Sequence, residues 1–111
     1  MRGYPDEWKY KTVSEELDHE FDFFDEVPSG DTIKAILAGD TDVTAVDSAG
    51  TDVSATLIGA KALGGTKLKA RIKAGTDGED YVVTYTAEMT TSGERRQKFL
   101  FVSVRNPSFI G

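Results

Sequence analysis

Residues 80–105, DYVVTYTAEMTTSGERRQKFLFVSVR, decide the fold of this 111-residue chain. In the first part Tyr81, Val83 and Tyr85 alternate with polar neighbours, which is the two-residue period of a β-strand with one buried face. In the last part apolar side chains occupy both faces over residues 99–102, as is typical of a strand inside a sheet. Ser92-Gly93 and charged residues connect the two parts. The stretch therefore predicts a β-hairpin whose tip faces water.

Five further short strands are predicted at spacings near ten residues, with 59–66 as a flexible loop between sheets. Their ranges are 17–23, 31–37, 42–48, 51–57 and 67–74. No amphipathic helix is convincing beyond a single turn at 14–17. About seven short strands without helices predict an all-β, antiparallel β-sandwich.

The strand at 67–74 has the clearest alternation, with Leu68, Ala70, Ile72 and Ala74 on the buried side. Four basic side chains occupy its solvent side: Lys67, Lys69, Arg71 and Lys73. The strand at 17–23 instead carries an acidic face of Asp18, Glu20 and Asp22. The single histidine, His19, lies on the apolar side of that strand, where we expect a packed neutral imidazole rather than a catalytic base.

Composition limits the function further. The chain has no cysteine, so it offers no disulfide, no thiolate nucleophile and no cysteine zinc site. No apolar run approaches the roughly 20 residues that span a bilayer, and residues 1–11 lack the apolar core of a signal peptide. We expect one soluble domain made in a cytosol, without a membrane partner and without a cofactor.

The net charge of -6 is unevenly distributed. Residues 1–60 contain 4 Lys or Arg against 14 Asp or Glu, and residues 61–111 contain 9 against 5. Nucleic acid is not an expected partner, because phosphate-binding domains carry a concentrated positive excess. This uneven distribution has two interpretations. It is either an ordinary solvated surface, or it gives each copy a negative rim that meets the positive rim of a neighbouring copy.

Residues 1–13 show no clean period and hold Tyr4, Trp8 and Tyr10 among charges, which predicts an extended N-terminal arm. The sandwich then covers residues 14–106, and a tail with apolar Phe109 and Ile110 covers 107–111. Three aromatic rings are too much apolar area to leave in water. The arm therefore either closes over the core of its own domain or docks on a partner subunit.

Two groups of carboxylates were considered as calcium ligands and are interpreted as turn formers, since neither has EF-hand spacing. They are Asp40 and Asp42 with Asp47 or Asp52, and Asp77, Glu79 and Asp80. Glu20, Asp22 and Asp25 are poor candidates for acid and base, because exposed carboxylates have little reason to shift their pKa values. We predict no metal site and no catalysis.

A resemblance to known folds begins with Asp77, Tyr81 and Val83. An acidic residue four positions before a tyrosine, which stands two before an inward residue, resembles the tyrosine corner of immunoglobulin-like domains. The absence of cysteine makes the chain similar to the disulfide-free immunoglobulin-like modules of bacterial and phage surface proteins.

Residues 15–106 further resemble the small tailed-phage virion proteins called fibre-tail adaptors. The resemblance rests on four short segments: Glu16-Leu17-Asp18, Phe21-Asp22-Phe23, Gly30-Asp31-Thr32-Ile33 and Arg105-Asn106. It implies a non-enzymatic structural component of the virion, present in several copies and assembled in the cytoplasm of the bacterial host. Its implied partners are other tail, neck or fibre proteins.

The predicted function is an adaptor that joins tail or neck to fibres, or to neighbouring subunits, through its terminal arms. The predicted partner-binding residues are Tyr4, Trp8, Tyr10, Lys67, Lys69, Arg71, Lys73, Phe109 and Ile110. Two alternatives stay open: a capsid decoration or head-tail completion protein, and a glycan-binding β-sandwich. The second is less favoured because the exposed aromatics are predicted in the termini rather than on a sheet face.

Overall fold

The computed structural model describes residues 5–107, which form seven strands in two packed sheets. In chain order the strands are β1 (Glu7–Lys11), β2 (Leu17–Asp22), β3 (Asp42–Asp47), β4 (Ile58–Gly64), β5 (Lys67–Ile72), β6 (Asp80–Glu88) and β7 (Arg95–Val104). A short 3-10 helix (Phe24–Glu26) follows β2, and a four-residue α-helix, α1 (Ser54–Leu57), precedes β4.

One sheet has the strand order β1-β7-β6-β3 and the other has the order β2-β5-β4. Lettered A to G along the chain, the third, sixth and seventh strands share one sheet and the second, fourth and fifth share the other, as in immunoglobulin-like sandwiches. This confirms the predicted fold. One pair departs from the antiparallel expectation, because β1 runs parallel to β7.

The predicted hairpin is present, and it forms the centre of the larger sheet. β6 and β7 pair antiparallel from Asp80 opposite Ser103 to Glu88 opposite Arg95. β1 lies on the other side of β7, so β7 is an interior strand, as its two apolar faces predict. The inward side chains of the two strands are buried: Tyr81, Val83, Tyr85, Ala87, Leu100, Val102 and Val104.

The tyrosine corner is also present. The backbone N–H of Thr76 donates to the Tyr81 hydroxyl at 2.9 Å, which ties the connection between β5 and β6 to the core. The same connection contains Gly75 at φ 97, where an added Cβ would lie 2.8 Å from a methyl group of Val104. Close packing and a left-handed backbone both require glycine there.

Two predicted strands are wrong. Residues 31–37 make only isolated bridges, Ile33 with Met89 and Ile36 with Thr41, because this segment crosses between the sheets. Within 51–57, Asp52 accepts hydrogen bonds from the backbone N–H and the hydroxyl of Ser54. These local bonds start the turn of α1 in place of a strand.

The predicted loop at 59–66 is also wrong, since most of it is β4. This strand pairs antiparallel with β5 from Lys61 opposite Ala70 to Gly64 opposite Lys67. Gly65, at φ 63, makes the tight turn into β5. Pairing with the strongly alternating β5 supplies the hydrogen bonds that the small residues of β4 do not suggest by themselves.

Candidate interaction surfaces

The N-terminal arm is partly a strand of the domain itself. Residues 7–11 form β1, in register with residues 100–104 of β7. At its end Lys11 is buried, and its ammonium donates to the carbonyl oxygens of Thr12 and Ala74, both at 2.6 Å. Desolvation lowers the pKa of Lys11. Residues 7–11 are therefore fixed to the sandwich rather than loose.

Docking of β1 leaves its aromatic side chains in water. Trp8 is 57% exposed and Tyr10 is 70% exposed. Trp8 packs edge-on against Phe101, with ring centroids 4.6 Å apart. The arm thus satisfies its backbone on its own domain while presenting two aromatic rings on the outer face of the larger sheet.

An apolar row crosses this outer face. Trp8 is in register with Phe101, Phe101 with Val82, and Val82 with Val46. Residues in register project to the same side of a sheet, so the row spans all four strands. None of these four side chains is fully buried. We call the outer side of β1-β7-β6-β3 the aromatic face.

Most of the rest of the aromatic face is uncharged. Its other uncharged side chains are Tyr10, Thr44, Thr84, Thr86, Gln97, Phe99 and Ser103. Charges occur towards its two ends, where they are paired within the chain. Asp42, opposite Thr86 at the start of β3, lies 2.5 Å from the ammonium of Lys61. Asp80 lies 3.0 Å from the guanidinium of Arg105, while Glu88 contacts both Lys34, at 2.7 Å, and Arg95. These contacts lower the pKa of Glu88.

The outer side of the smaller sheet has the opposite character, and we call it the charged face. β2 and β5 pair so that each carboxylate is opposite a base: Asp18 with Arg71, Glu20 with Lys69 and Asp22 with Lys67. Arg71 donates to both carboxylate oxygens of Asp18, at 2.8 and 3.3 Å. This lowers the pKa of Asp18. The acidic and basic faces predicted separately are two halves of one surface.

Lys73 lies beyond the end of β5 and does not extend the basic row. Its ammonium donates to the carbonyl of Thr56 at 3.0 Å. Three of the four predicted basic contact residues therefore lie side by side on β5, and the fourth is engaged with the turn before β4.

His19 is buried, as predicted. Its ring packs against Phe21 and Tyr85, with centroids 5.0 and 6.1 Å away, and the Tyr85 hydroxyl donates to the His19 carbonyl at 2.9 Å. Glu7 Oε1 lies 3.2 Å from His19 Nε2, and no hydrogen bond joins them. Burial, with a smaller effect of Lys9, lowers the pKa of the imidazole. A packed neutral ring fits this environment.

The carboxylate groups considered for calcium do not converge. Among residues 5–107 no group of three or more His, Asp or Glu side chains is placed to hold a metal ion. Asp47 accepts from the backbone N–H groups of Ala49 and Thr51, both at 2.9 Å, which is turn chemistry as predicted. An open hollow of about 360 Å³ lies beside it, lined by Leu57, Glu79 and Tyr81 among others.

Sequence reasoning missed part of the aromatic face. It placed exposed aromatics only in the termini, whereas Phe99 and Phe101 of β7 and Val82 and Val46 form a continuous surface with Trp8. The signal was available in β7, which is apolar on both faces. A two-layer sandwich can cover only one of them. Tyr4, Phe109 and Ile110 lie outside the described residues.

The fold and these surfaces define a class of protein: a small immunoglobulin-like β-sandwich. Its aromatic face exposes apolar side chains, and on its charged face acidic and basic side chains lie opposite each other. No helix within the described part of the chain is long and apolar enough to cross a membrane. The family model of the podophage GP4 fiber-tail adaptor protein gp77 matches residues 11–103. The chain belongs to this family, which assigns it a structural role as a phage tail-fibre adaptor and makes it a virion component. No individual curated protein and no solved structure matches it.

Proposed function

We propose that the chain is a passive adaptor that joins a phage tail to its fibres through contacts made by its terminal segments. Trp8 and Tyr10 are the described residues that carry this proposal. They sit on a strand fixed at one end by buried Lys11, yet they remain 57% and 70% exposed. Rigid aromatic rings held in water by an ordered strand are typical anchors of protein interfaces.

The terminal residues Tyr4, Phe109 and Ile110 belong to the same proposal, because they continue the chain from the two neighbouring strands β1 and β7. The basic row does not. Lys67, Lys69 and Arg71 each lie opposite a carboxylate in register, and Arg71 forms a salt bridge with Asp18, so the row is not a separate positive patch. The proposed mechanism involves no catalysis, in keeping with the structural role of the family.

The experiment uses a phage in which the gene for this chain is deleted and the protein is supplied in trans. The double variant Trp8→Ser, Tyr10→Ser removes both rings without touching the ladder of β1. We expect it to fold, by circular dichroism, and to be depleted from purified particles by about tenfold or more. Copies per particle are counted by quantitative mass spectrometry.

Phe24→Ser is the matched control, because Phe24 is 70% exposed but follows β2, a strand of the smaller sheet. It should enter particles like the unchanged chain. Equal incorporation of the double variant and the control would overturn the anchoring role. Recovery of the protein with isolated heads rather than tails would support the capsid alternative instead.

A glycan-binding module is the second candidate function, and one observation favours it. Trp8 and Tyr10 lie on a flat sheet face rather than in a loose terminus, and exposed aromatics on such faces can stack on sugar rings. Binding of the isolated chain on a carbohydrate array, lost in Trp8→Ser, would support this function. A blank array would remove this second candidate function.

A further inference from the structure

We infer that the whole aromatic face, and not only its edge strand, docks on a flat, uncharged and apolar surface of a neighbouring virion protein. This inference rests on the proposed function and specifies the chemistry of the partner. Its core is the row of Trp8, Phe101, Val82 and Val46, which crosses four strands without interruption.

The lack of charge in the middle of the aromatic face favours a partner whose contact surface is also uncharged. The chain carries 32 acidic and basic residues in all, 19 Asp or Glu and 13 Lys or Arg. The middle of this one face has none, while the other outer face is covered with them. Where Asp80 and Glu88 approach its ends, Arg105 and Arg95 neutralise them. A charged partner would lose hydration there and gain no ion pair in return.

A second copy of the chain is the less suitable occupant. Each copy has a net charge of -6, so two copies repel each other, and the aromatic face offers no opposite charges to offset that repulsion. A different protein with an apolar contact surface need not carry the same net charge.

The size of the face also argues for a partner that engages more than the sheet. Four strands about 4.8 Å apart, with same-side residues about 6.8 Å apart, give a contact area of roughly 400 to 500 Å². A stable interface buries about 800 Å² on each side. The remaining area must come from contacts outside this sheet face.

The test places a carboxylate in the middle of the face. Val82→Glu lies between Phe101 and Val46 in register. Thr44→Glu, at an exposed position on the neighbouring strand, serves if the first variant does not fold. Ala62→Glu is the matched control, because it adds the same charge at an exposed position opposite Lys69 on β5. The probe is fibreless tail particles assembled without this chain, and binding is measured by co-sedimentation.

We expect the unchanged chain and Ala62→Glu to bind these particles equally, and the variants on the aromatic face to bind about tenfold or more weakly. Binding should also persist between about 50 and 500 mM salt, since no ion pair contributes to it. Failure of the unchanged chain to bind would overturn the adaptor function itself.

Three outcomes would overturn only the present inference. The first is full binding by a folded Val82→Glu or Thr44→Glu variant. The second is a steep loss of binding with salt, which would point to a charged partner surface. Dimerisation of the free chain that Val82→Glu abolishes, measured by analytical ultracentrifugation, would assign the face to a second copy and likewise contradict the inference.

Discussion

Tyr81 shows how one hydroxyl can fix the end of a sandwich. Its ring packs in the core at the start of β6, while its oxygen accepts the backbone N–H of Thr76. Without this acceptor the N–H group would be left at a partly buried site where its hydration is incomplete.

Tyr81→Phe therefore keeps the packing of the ring but removes the acceptor. We expect the free energy of unfolding to fall by about 1 to 2 kcal/mol, measured by urea denaturation. Tyr10→Phe is the control, because the Tyr10 side chain is 70% exposed and should give no change. Equal stability of the Tyr81 variant would mean that the corner is not a stabilising contact.

His19 couples the stability of the domain to pH. Its pKa is lowered from 6.5 by burial and by Lys9, with Glu7 acting in the opposite direction, and Tyr85 packs against its ring. At pH values between the lowered pKa of His19 in the folded protein and 6.5, its value in the unfolded chain, the unfolded chain binds more protons than the folded one. Stability is therefore fully present above about pH 6.5 and is lost as the pH falls below it.

We expect thermal unfolding scans to show a midpoint that decreases from pH 7 to pH 5, a range in which His19 is the only side chain with a matching reference pKa. In His19→Gln the midpoint should be nearly flat over the same range. An equal slope in both proteins would show that another group, rather than His19, carries the dependence.

At the scale of elements, β1 contributes both backbone pairing with β7 and a side-chain contact through Lys11. Its five residues are in register with β7, Asp6 continues the pairing through its backbone N–H to the Phe99 carbonyl at 2.9 Å, and Lys11 bonds to the loop after β5. Residues 6–11 are therefore part of the fold.

Deleting residues 1–11 should destabilise the domain by on the order of 3 kcal/mol, the sum of several backbone and charged hydrogen bonds. Deleting residues 1–4, which leaves β1 intact, should change stability little. Guanidinium denaturation of both truncated chains measures the difference. A fully stable domain without residues 1–11 would show that β1 is a dispensable addition.

The elements that local pattern predicts well are those whose two faces differ. β2, β5, β6 and the β6–β7 connection follow from alternation and turn chemistry, and so does the burial of His19. β4 was missed because its small residues take their structure from pairing with β5. Residues 31–37 are predicted as a strand between two turns, yet they make only isolated bridges, at Ile33 and Ile36.

Some residues of the candidate interaction surfaces can likewise be identified from the sequence, and others cannot. Trp8 and Tyr10 were identifiable from sequence as candidate contact residues, but the sequence left open whether their rings cover the domain's own core or face outward. The row through Phe101, Val82 and Val46 depends on the order of strands in the sheet. The placement of Lys67, Lys69 and Arg71 opposite carboxylates depends on the register of β2 with β5. Neither is encoded within a single segment.

At the scale of the whole molecule, the two outer faces differ in the kind of side chain that they expose. The charged face is balanced by in-register pairs, of which Arg71 with Asp18 has two hydrogen bonds. Opposite charges placed in register give this surface few unpaired charges to offer to another charged surface. The aromatic face instead exposes Trp8 and Tyr10.

Arg71→Glu should lower the melting temperature, because it places a carboxylate opposite Asp18 and near Glu16. The double exchange Asp18→Arg, Arg71→Glu should recover most of the loss by restoring opposite charges. Scanning calorimetry at low and high salt measures both effects, which should shrink as salt screens them. No recovery in the exchanged protein would show that the pair acts through packing rather than charge.

The parallel alignment of β1 and β7 determines how the domain responds to a force that pulls its two ends apart. The N-terminal end of β1 and the C-terminal end of β7 leave the sheet at opposite ends of the ladder. Tension applied through the two termini pulls these strands past each other along their length. The backbone hydrogen bonds between β1 and β7 are then loaded in shear and all at once, rather than broken one after another. The force is shared by the whole β1–β7 ladder.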